Sequence, residues 1–183
     1  MIIERIRREH GYMVRLLAIL SAKLDQLKNE KTINYSLVKE IIDYLAIHSQ
    51  KTHHPKEDIL YLHFARHYGH HQEIDDLEKE HVALSKVTEA FQNTVDMILH
   101  DAVIPSNMFA SQLEEFISRQ RGHLEMEERD VLPKIAKAFT VADWQTVENQ
   151  WLHDDEDPVF GNTIADQYRQ LAARVRQTEF EST

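Results

Sequence analysis

Cysteine is absent from this chain, and glycine and proline are scarce, with four of each among 183 residues. Without cysteine the chain forms no disulfide, holds no metal through thiolates and uses no cysteine nucleophile. Few turn-forming residues, and no alternating runs of Val, Ile and Thr, argue against a strand-rich fold and predict an all-α protein. The N-terminal stretch has no apolar signal core, and no apolar run has membrane-spanning length. We therefore expect no membrane partner and a cytoplasmic location.

Positive charge is also in deficit, because 31 acidic residues face 21 basic ones for a formal net charge of −10. A chain of this charge is repelled by phosphate backbones, so we expect no nucleic-acid partner. A hydrophobic content of 42% over this length fits one globular domain with a real core. The unusual number is the twelve histidines.

Apolar residues recur at steps of three and four along four long stretches, which predicts four helices. Their expected bounds are about residues 3–29, 36–68, 71–100 and 106–138. The short connections favour an up-down-up-down four-helix bundle over residues 1–138. Pro55 lies inside the second helix and should kink it, with two helices meeting at His54 as the alternative, and Pro133 should kink or end the fourth.

Residues 139–183 are expected to form a helical extension of the same domain, packed on the bundle. Thr140 and Asp143 have the spacing of a capping box that opens a short helix ending near Trp151. An acidic loop at 153–158 and a last helix at 163–177 should follow.

Each of the four long helices carries polar residues where its apolar stripe should continue. These residues are His10 in the first helix, His53 and Glu57 in the second, His81 in the third, and His123 and Glu127 in the fourth. The layout repeats as in a duplicated helix pair, since 43 residues separate His10 from His53 and 42 separate His81 from His123. At about 1.5 Å per residue, all six lie roughly 15–20 Å from one end of the bundle, so they should converge at one level of the core.

Two buried carboxylates would be costly without a cation, and a bound metal removes that cost. Four imidazoles and two carboxylates suit a pair of first-row metal ions, because carboxylates can bridge two ions. Two Fe ions with an oxo or hydroxo bridge fit this donor set, and Zn or Mn are alternatives. Some coordination positions should remain for a small diatomic or peroxide ligand.

Neighbouring polar residues have weaker signals. His54 and Asp58 fall on another phase of the second helix and are expected as a surface pair or behind the ligands. Glu9, Glu80 and Glu128 are next to candidate ligands and are candidates for carboxylates that orient the ligand imidazoles. The favoured interpretation is that they are solvent-exposed. The cluster of His67, His70 and His71 is interpreted as a polar loop, with a supplementary ligand or pH sensing as alternatives.

At the six polar residues that replace apolar residues in the helical stripes, the sequence resembles the hemerythrin-like, or HHE cation-binding, family. The matching motifs are Glu9-His10, HHPKED with His53 and Glu57, Glu80-His81, and HLEMEE with His123 and Glu127. The stretch DEDPVFG, residues 155–161, is similar to one that follows the bundle in bacterial members. The resemblance implies a four-helix bundle with a non-haem di-iron centre, in which Glu57 and Glu127 bridge and the four histidines are terminal ligands.

The resemblance also implies a choice of functions. In oxygen-carrying hemerythrins the third helix supplies a fifth histidine one turn from its partner, whereas Leu77 and Ser85 occupy those positions here. The four-histidine pattern is closer to di-iron proteins associated with iron–sulfur cluster repair under nitrosative stress, whose usual cysteine-bearing N-terminal domain this sequence lacks. Whether another residue supplies a fifth histidine stays open.

Three functional hypotheses follow. The first is a protein that binds or senses O₂, NO or peroxide, or handles iron in a stress response. The second is a di-iron enzyme that reduces NO or peroxide, or aids cluster repair, with a redox partner. The third is a structural or partner-binding bundle in which a bound metal ion only stabilises the fold.

Overall fold

A computed structural model describes residues 1–151 and 157–181 of the chain. Within these ranges the secondary structure is entirely helical, without a strand. Residues 152–156 lie outside the described part, and most of the predicted acidic loop falls there. Among the described residues, no helix combines the length and apolar character needed to cross a membrane.

Four long helical segments form an up-down-up-down bundle, which confirms the predicted fold class. The first segment is α1 (Ile2–Lys28), and the third is α4 (Gln72–Leu99). The second segment runs from α2 (Tyr35–Asp43) through a π-helical stretch (Tyr44–His53) to α3 (His54–Tyr68). The fourth runs from α5 (Ser106–Met126) through a second π-helical stretch (Glu127–Val131) to α6 (Leu132–Ala138). Helix α1 packs against α5, and α2 packs against α4. The four apolar stripes therefore meet on the bundle axis.

The hydrophobic core is divided into two layers, and the polar residues of the stripes lie between them. On α1, Ile6 belongs to one layer and Met13 to the other, with His10 between. On the second segment, Leu45 and Leu60 belong to different layers in the same way. A polar level held between two dry apolar layers is kept from bulk water and held in fixed positions.

The two prolines within the bundle each follow a π-helical stretch. Pro55 comes two residues after the first stretch ends at His53, and Pro133 comes two residues after the second ends at Val131. Proline lacks an N–H and its ring clashes with the carbonyl four residues earlier, so a wider turn before it relieves the clash. The chain stays helical across both prolines, and each π stretch contains a residue of the polar level.

Two shorter helices pack on the bundle. Helix α7 (Val141–Gln150) begins at the predicted capping box and packs on α3, and α8 (Arg169–Glu181) follows a 3₁₀ turn (Asp166–Tyr168) and packs on α2. The last helix therefore starts later than the predicted residue 163. The placement of a boundary at residues 138 and 139 stays a prediction.

The segment before α8 is attached to the bundle by side chains. The Tyr44 hydroxyl donates to Asp157 Oδ2 at 2.6 Å, and the Asp157 Oδ1 atom accepts the backbone N–H groups of Val159 and Phe160. The Phe160 ring stacks on Tyr12 with centroids 4.0 Å apart. These contacts hold the segment in a compact turn that delays the start of the helix.

Candidate metal centre

The structure brings all six predicted residues together at the polar level, in two halves. In the first half, His10 Nε2 and His53 Nε2 lie 3.1 Å apart. In the second half, His81 Nε2 and His123 Nε2 also lie 3.1 Å apart. Five of the six residues are buried, Glu57 and Glu127 completely, and the His81 side chain is 14% exposed.

Glu57 reaches both halves with different oxygens. Its Oε1 atom lies 2.9 Å from His53 Nε2 and 3.1 Å from His10 Nε2. Its Oε2 atom lies 3.6 Å from His81 Nε2. One carboxylate thus presents one oxygen to each half.

Glu127 does the same from the opposite segment. Its Oε2 atom lies 3.4 Å from His10 Nε2, in the first half. Its Oε1 atom lies 3.4 Å from His123 Nε2 and 3.7 Å from His81 Nε2, in the second. Two carboxylates placed in this way have the arrangement of ligands that bridge two metal ions.

The donor atoms fit a metal pair on two further grounds. Glu57 Oε2 and Glu127 Oε2 are buried without a hydrogen-bond partner, which is costly unless a cation satisfies them. Two nitrogens bound at right angles to one ion, each at about 2.1 Å, would lie about 3.0 Å apart, close to the spacing in each half. Imidazole and carboxylate donors together suit Fe, Mn or Zn.

Carboxylates outside the cluster orient the imidazoles of the first half. Glu9 Oε2 accepts from His53 Nδ1 at 2.7 Å, and Glu128 Oε1 accepts from His10 Nδ1 at 2.7 Å. With Nδ1 carrying the proton, each Nε2 lone pair points at the centre and is made more basic. Glu9 also accepts from Lys56, whose side chain is buried. The favoured interpretation of Glu9 as solvated was therefore wrong, whereas Glu128, whose side chain is 37% exposed, is both partly solvated and an orienting partner.

Among the described contacts, the second half is supported differently. Glu80 occupies the position in the repeat that corresponds to Glu9, but it is exposed. His123 Nδ1 is buried without a hydrogen-bond partner. On this side the added contact is the Tyr61 hydroxyl, which donates to Glu127 Oε1 at 2.9 Å. The two halves are therefore supported unequally.

The electrostatics of the cluster are those of buried anions that need positive charge. Burial alone would lower the pKa of His53, but the charge of Glu57 and hydrogen bonds to Glu57 and Glu9 raise it to about 10. Burial would raise the pKa of Glu57, but His53 and His10 hold it well below its usual range. The carboxylate is thus kept ionised and ready to bind a cation, which displaces a proton from the imidazole.

His54 lies beside the centre, although the sequence reasoning expected it only as a surface residue or behind the ligands. Its half-buried ring stacks on His81 with centroids 4.1 Å apart and planes 18° apart. Consecutive helical residues point about 100° apart, and a bundle helix has two neighbours, so His53 faces α1 while His54 faces α4 and α5. The HH pair itself was the available signal. Burial, and next the charge of His81, lower the pKa of His54 to about 3, which keeps the imidazole neutral.

A small cavity of about 20 Å³ adjoins the centre. His53, His54 and His123 form part of its wall, and the remaining wall is divided evenly between apolar and polar side chains. Towards the surface it is bounded by Gln50, whose Nε2 donates to Ser85 Oγ at 2.9 Å.

The histidines near Gly69 do not join the centre. His67 and His70 are exposed, in agreement with the favoured interpretation of a polar surface. His70 instead contacts Asp75 at 3.4 Å, and His71 lies against the Phe64 ring with centroids 5.1 Å apart.

Comparison with protein families identifies the bundle. The hemerythrin HHE cation binding domain matches residues 1–135, a range that contains all six residues of the two halves and His54. Comparisons with curated proteins and with solved structures gave no significant match. The chain therefore belongs to the hemerythrin HHE cation-binding family, and it is a hemerythrin-like metal-binding protein with a His/Glu cluster in its core.

Proposed function

We propose that this protein is a non-haem di-iron protein that binds or senses O₂, NO or peroxide. The observation that carries the proposal is the placement of Glu57 and Glu127, each with one carboxylate oxygen on each half of the cluster. A single ion would use one half only, whereas a bridged pair uses both. The six residues that would hold the pair are His10, His53, Glu57, His81, His123 and Glu127.

The charge and chemistry of the donors favour iron. Two divalent ions bring four positive charges against two buried carboxylates, and an oxo or hydroxo bridge would reduce the remainder. Iron held by imidazole and carboxylate would supply open, redox-active positions for a small ligand. Zn or Mn, which the same donors accept, are the alternative metals.

The cavity beside the cluster supports a small ligand. Its volume of about 20 Å³ has room for about one water-sized molecule. Leu45, Leu84 and Leu124 contribute apolar wall, which suits O₂ or NO, whereas Thr88 and Gln120 offer polar groups to a peroxide. Larger substrates would need the bundle to open.

The proposal is tested by spectroscopy on the iron-loaded protein. We expect absorption bands in the near ultraviolet and visible that change when azide or NO is added, because added ligands alter charge transfer to iron. Matched samples of Glu57→Ala and Glu127→Ala should lose the bands, and His70→Ala, which removes an exposed imidazole, should keep them. A protein that stays colourless after iron loading contradicts the proposal.

The same preparation separates the two other hypotheses. Reduction of NO or peroxide above the rate of the Glu57→Ala and Glu127→Ala variants, with an electron donor as redox partner, would establish an enzyme. The third hypothesis predicts tight zinc binding, a large loss of stability on chelation and no response to NO or azide. These results together would establish a purely structural metal site.

A further inference from the structure

His54 lies beside the second half of the cluster without belonging to the six bridging and terminal residues. Its ring makes contacts with three other histidines, the closest being the stacked contact with His81 at 4.1 Å between centroids. One ring nitrogen each from His54, His81 and His123 lie within 4.8 Å of one another. These three nitrogens come from three different segments of the bundle and form a group that could hold one metal ion.

The described contacts of the His54 side chain are ring contacts with other histidines. The structure gives it no hydrogen bond to a described residue, although it is half-buried. An inward imidazole usually finds a donor, an acceptor or a metal for its nitrogens.

We infer that His54 is a ligand of the second metal ion, so that three histidines hold the second ion and two hold the first. The inference rests on the proposed metal pair, but not on the identity of the metal or on the small ligand. It also balances the two halves, because the second half has a third nitrogen where the first has the supporting carboxylates Glu9 and Glu128.

The consequence is an unequal centre. Each carboxylate gives one oxygen to each half, so the second half offers three nitrogens and two oxygens, and the first offers two of each. The first half keeps more positions for an added ligand, whereas the cavity is lined by residues of both halves, His53, His54 and His123.

A purely structural role of His54 predicts a different result. In that case the ring would hold His81 in place by stacking, and any flat ring would serve. His54→Phe keeps a ring that can stack and removes both nitrogens, whereas His54→Ala removes the ring as well. The two variants therefore separate a ligand from a positioning residue.

The test is a titration of the full chain with Co²⁺, measured by competition with a chromophoric chelator and by the visible bands of bound Co²⁺. The parent should bind two ions per chain. Both His54 variants should weaken one of the two sites by roughly tenfold or more, leave the other within about threefold, and change the bands of the weakened site. His70→Ala should match the parent, and thermal unfolding of the metal-free variants should show that each still folds.

The outcomes distinguish this inference from the proposal beneath it. If the parent binds two ions and both His54 variants do too, with unchanged affinities, His54 is not a ligand and the metal pair stands. If His54→Phe keeps both affinities and His54→Ala loses one, His54 only positions His81. If the parent binds fewer than two ions, the metal pair itself is contradicted, and His54 with it.

Discussion

Replacing Glu9 by glutamine should weaken metal binding in the first half of the centre without touching a ligand. Glu9 accepts from His53 Nδ1 at 2.7 Å and from the ammonium of Lys56. The amide of glutamine has nearly the same shape but no charge. It can still contact the ring, but it no longer makes Nε2 more basic.

Two effects of the substitution can be sized separately. Loss of a carboxylate that orients a ligand imidazole costs about 10–100-fold in metal affinity, which equals about 1.4–2.8 kcal/mol. In addition, Lys56 is only 4% exposed and would lose its anionic partner. Breaking a buried ion pair from one side costs about 3–5 kcal/mol in the free energy of unfolding.

The assay measures both quantities on the same variants. Affinities come from chelator competition, and stabilities of the metal-free proteins come from urea unfolding. The double variant Glu9→Gln/Lys56→Met should recover most of the lost stability, because no buried charge is left unpaired, while its metal affinity stays low. Glu80→Gln is the matched control, since Glu80 holds the corresponding position in the repeat but is exposed.

The reasoning would be refuted if Glu9→Gln bound metal as tightly as Glu80→Gln did. It would also be refuted if the double variant regained full affinity. The affinity loss would then come from strain around Lys56 and not from the lost support of His53.

Two further predictions concern stability. Tyr61→Phe removes the donor to the buried Glu127 oxygen, so the metal-free protein should lose about 1.5–3 kcal/mol, and unchanged urea unfolding would contradict this. The metal-free protein should also be most stable near pH 6.5, the ordinary pKa of histidine. His53, whose pKa is raised to about 10, holds its proton more tightly when folded, so its contribution is present below pH 6.5 and is lost as the pH rises towards 10. His54, whose pKa is lowered to about 3, stabilises the folded state above pH 6.5, and this contribution is lost as the pH falls towards 3. An unfolding temperature of the metal-free protein that rises steadily from pH 3 to pH 10 would contradict this prediction.

The helices and the six central residues could be predicted because both are periodic signals. An apolar stripe fixes which face of a helix points inwards, and His10 or Glu57 stands out because it interrupts that stripe. The convergence of six such residues at one depth follows from the helical rise and the alternating directions of the four segments.

The contacts of His54 and Glu9 with other segments were not predicted, because they depend on which helices are neighbours in the bundle. One stripe describes a single inward face, yet the second segment contacts α1 on one side and α4 on the other, so His53 and His54 both reach the centre. Glu9 lies beside His10 on α1, but it accepts a hydrogen bond from His53 of another segment. Spacing along one helix does not contain that information.

The π-helical stretches are a further feature without a sequence period. Pro55 and Pro133 indicated a disturbance in the helix, but a kink, a break and a wide turn all relieve the same clash. In the structure the wide turn is present, the helix continues through each proline, and His53 and Glu127 lie at the level of the other cluster residues.

The most direct test of the bridged metal pair is the metal content of the iron-loaded protein after removal of loosely bound ions, measured by mass spectrometry with protein concentration from amino-acid analysis. The account predicts two iron ions per chain in the parent. Removing either bridging carboxylate, in Glu57→Ala or Glu127→Ala, should reduce the content, because both halves lose an oxygen. Retention of one ion or none by the parent, or of two ions by both variants, would contradict it.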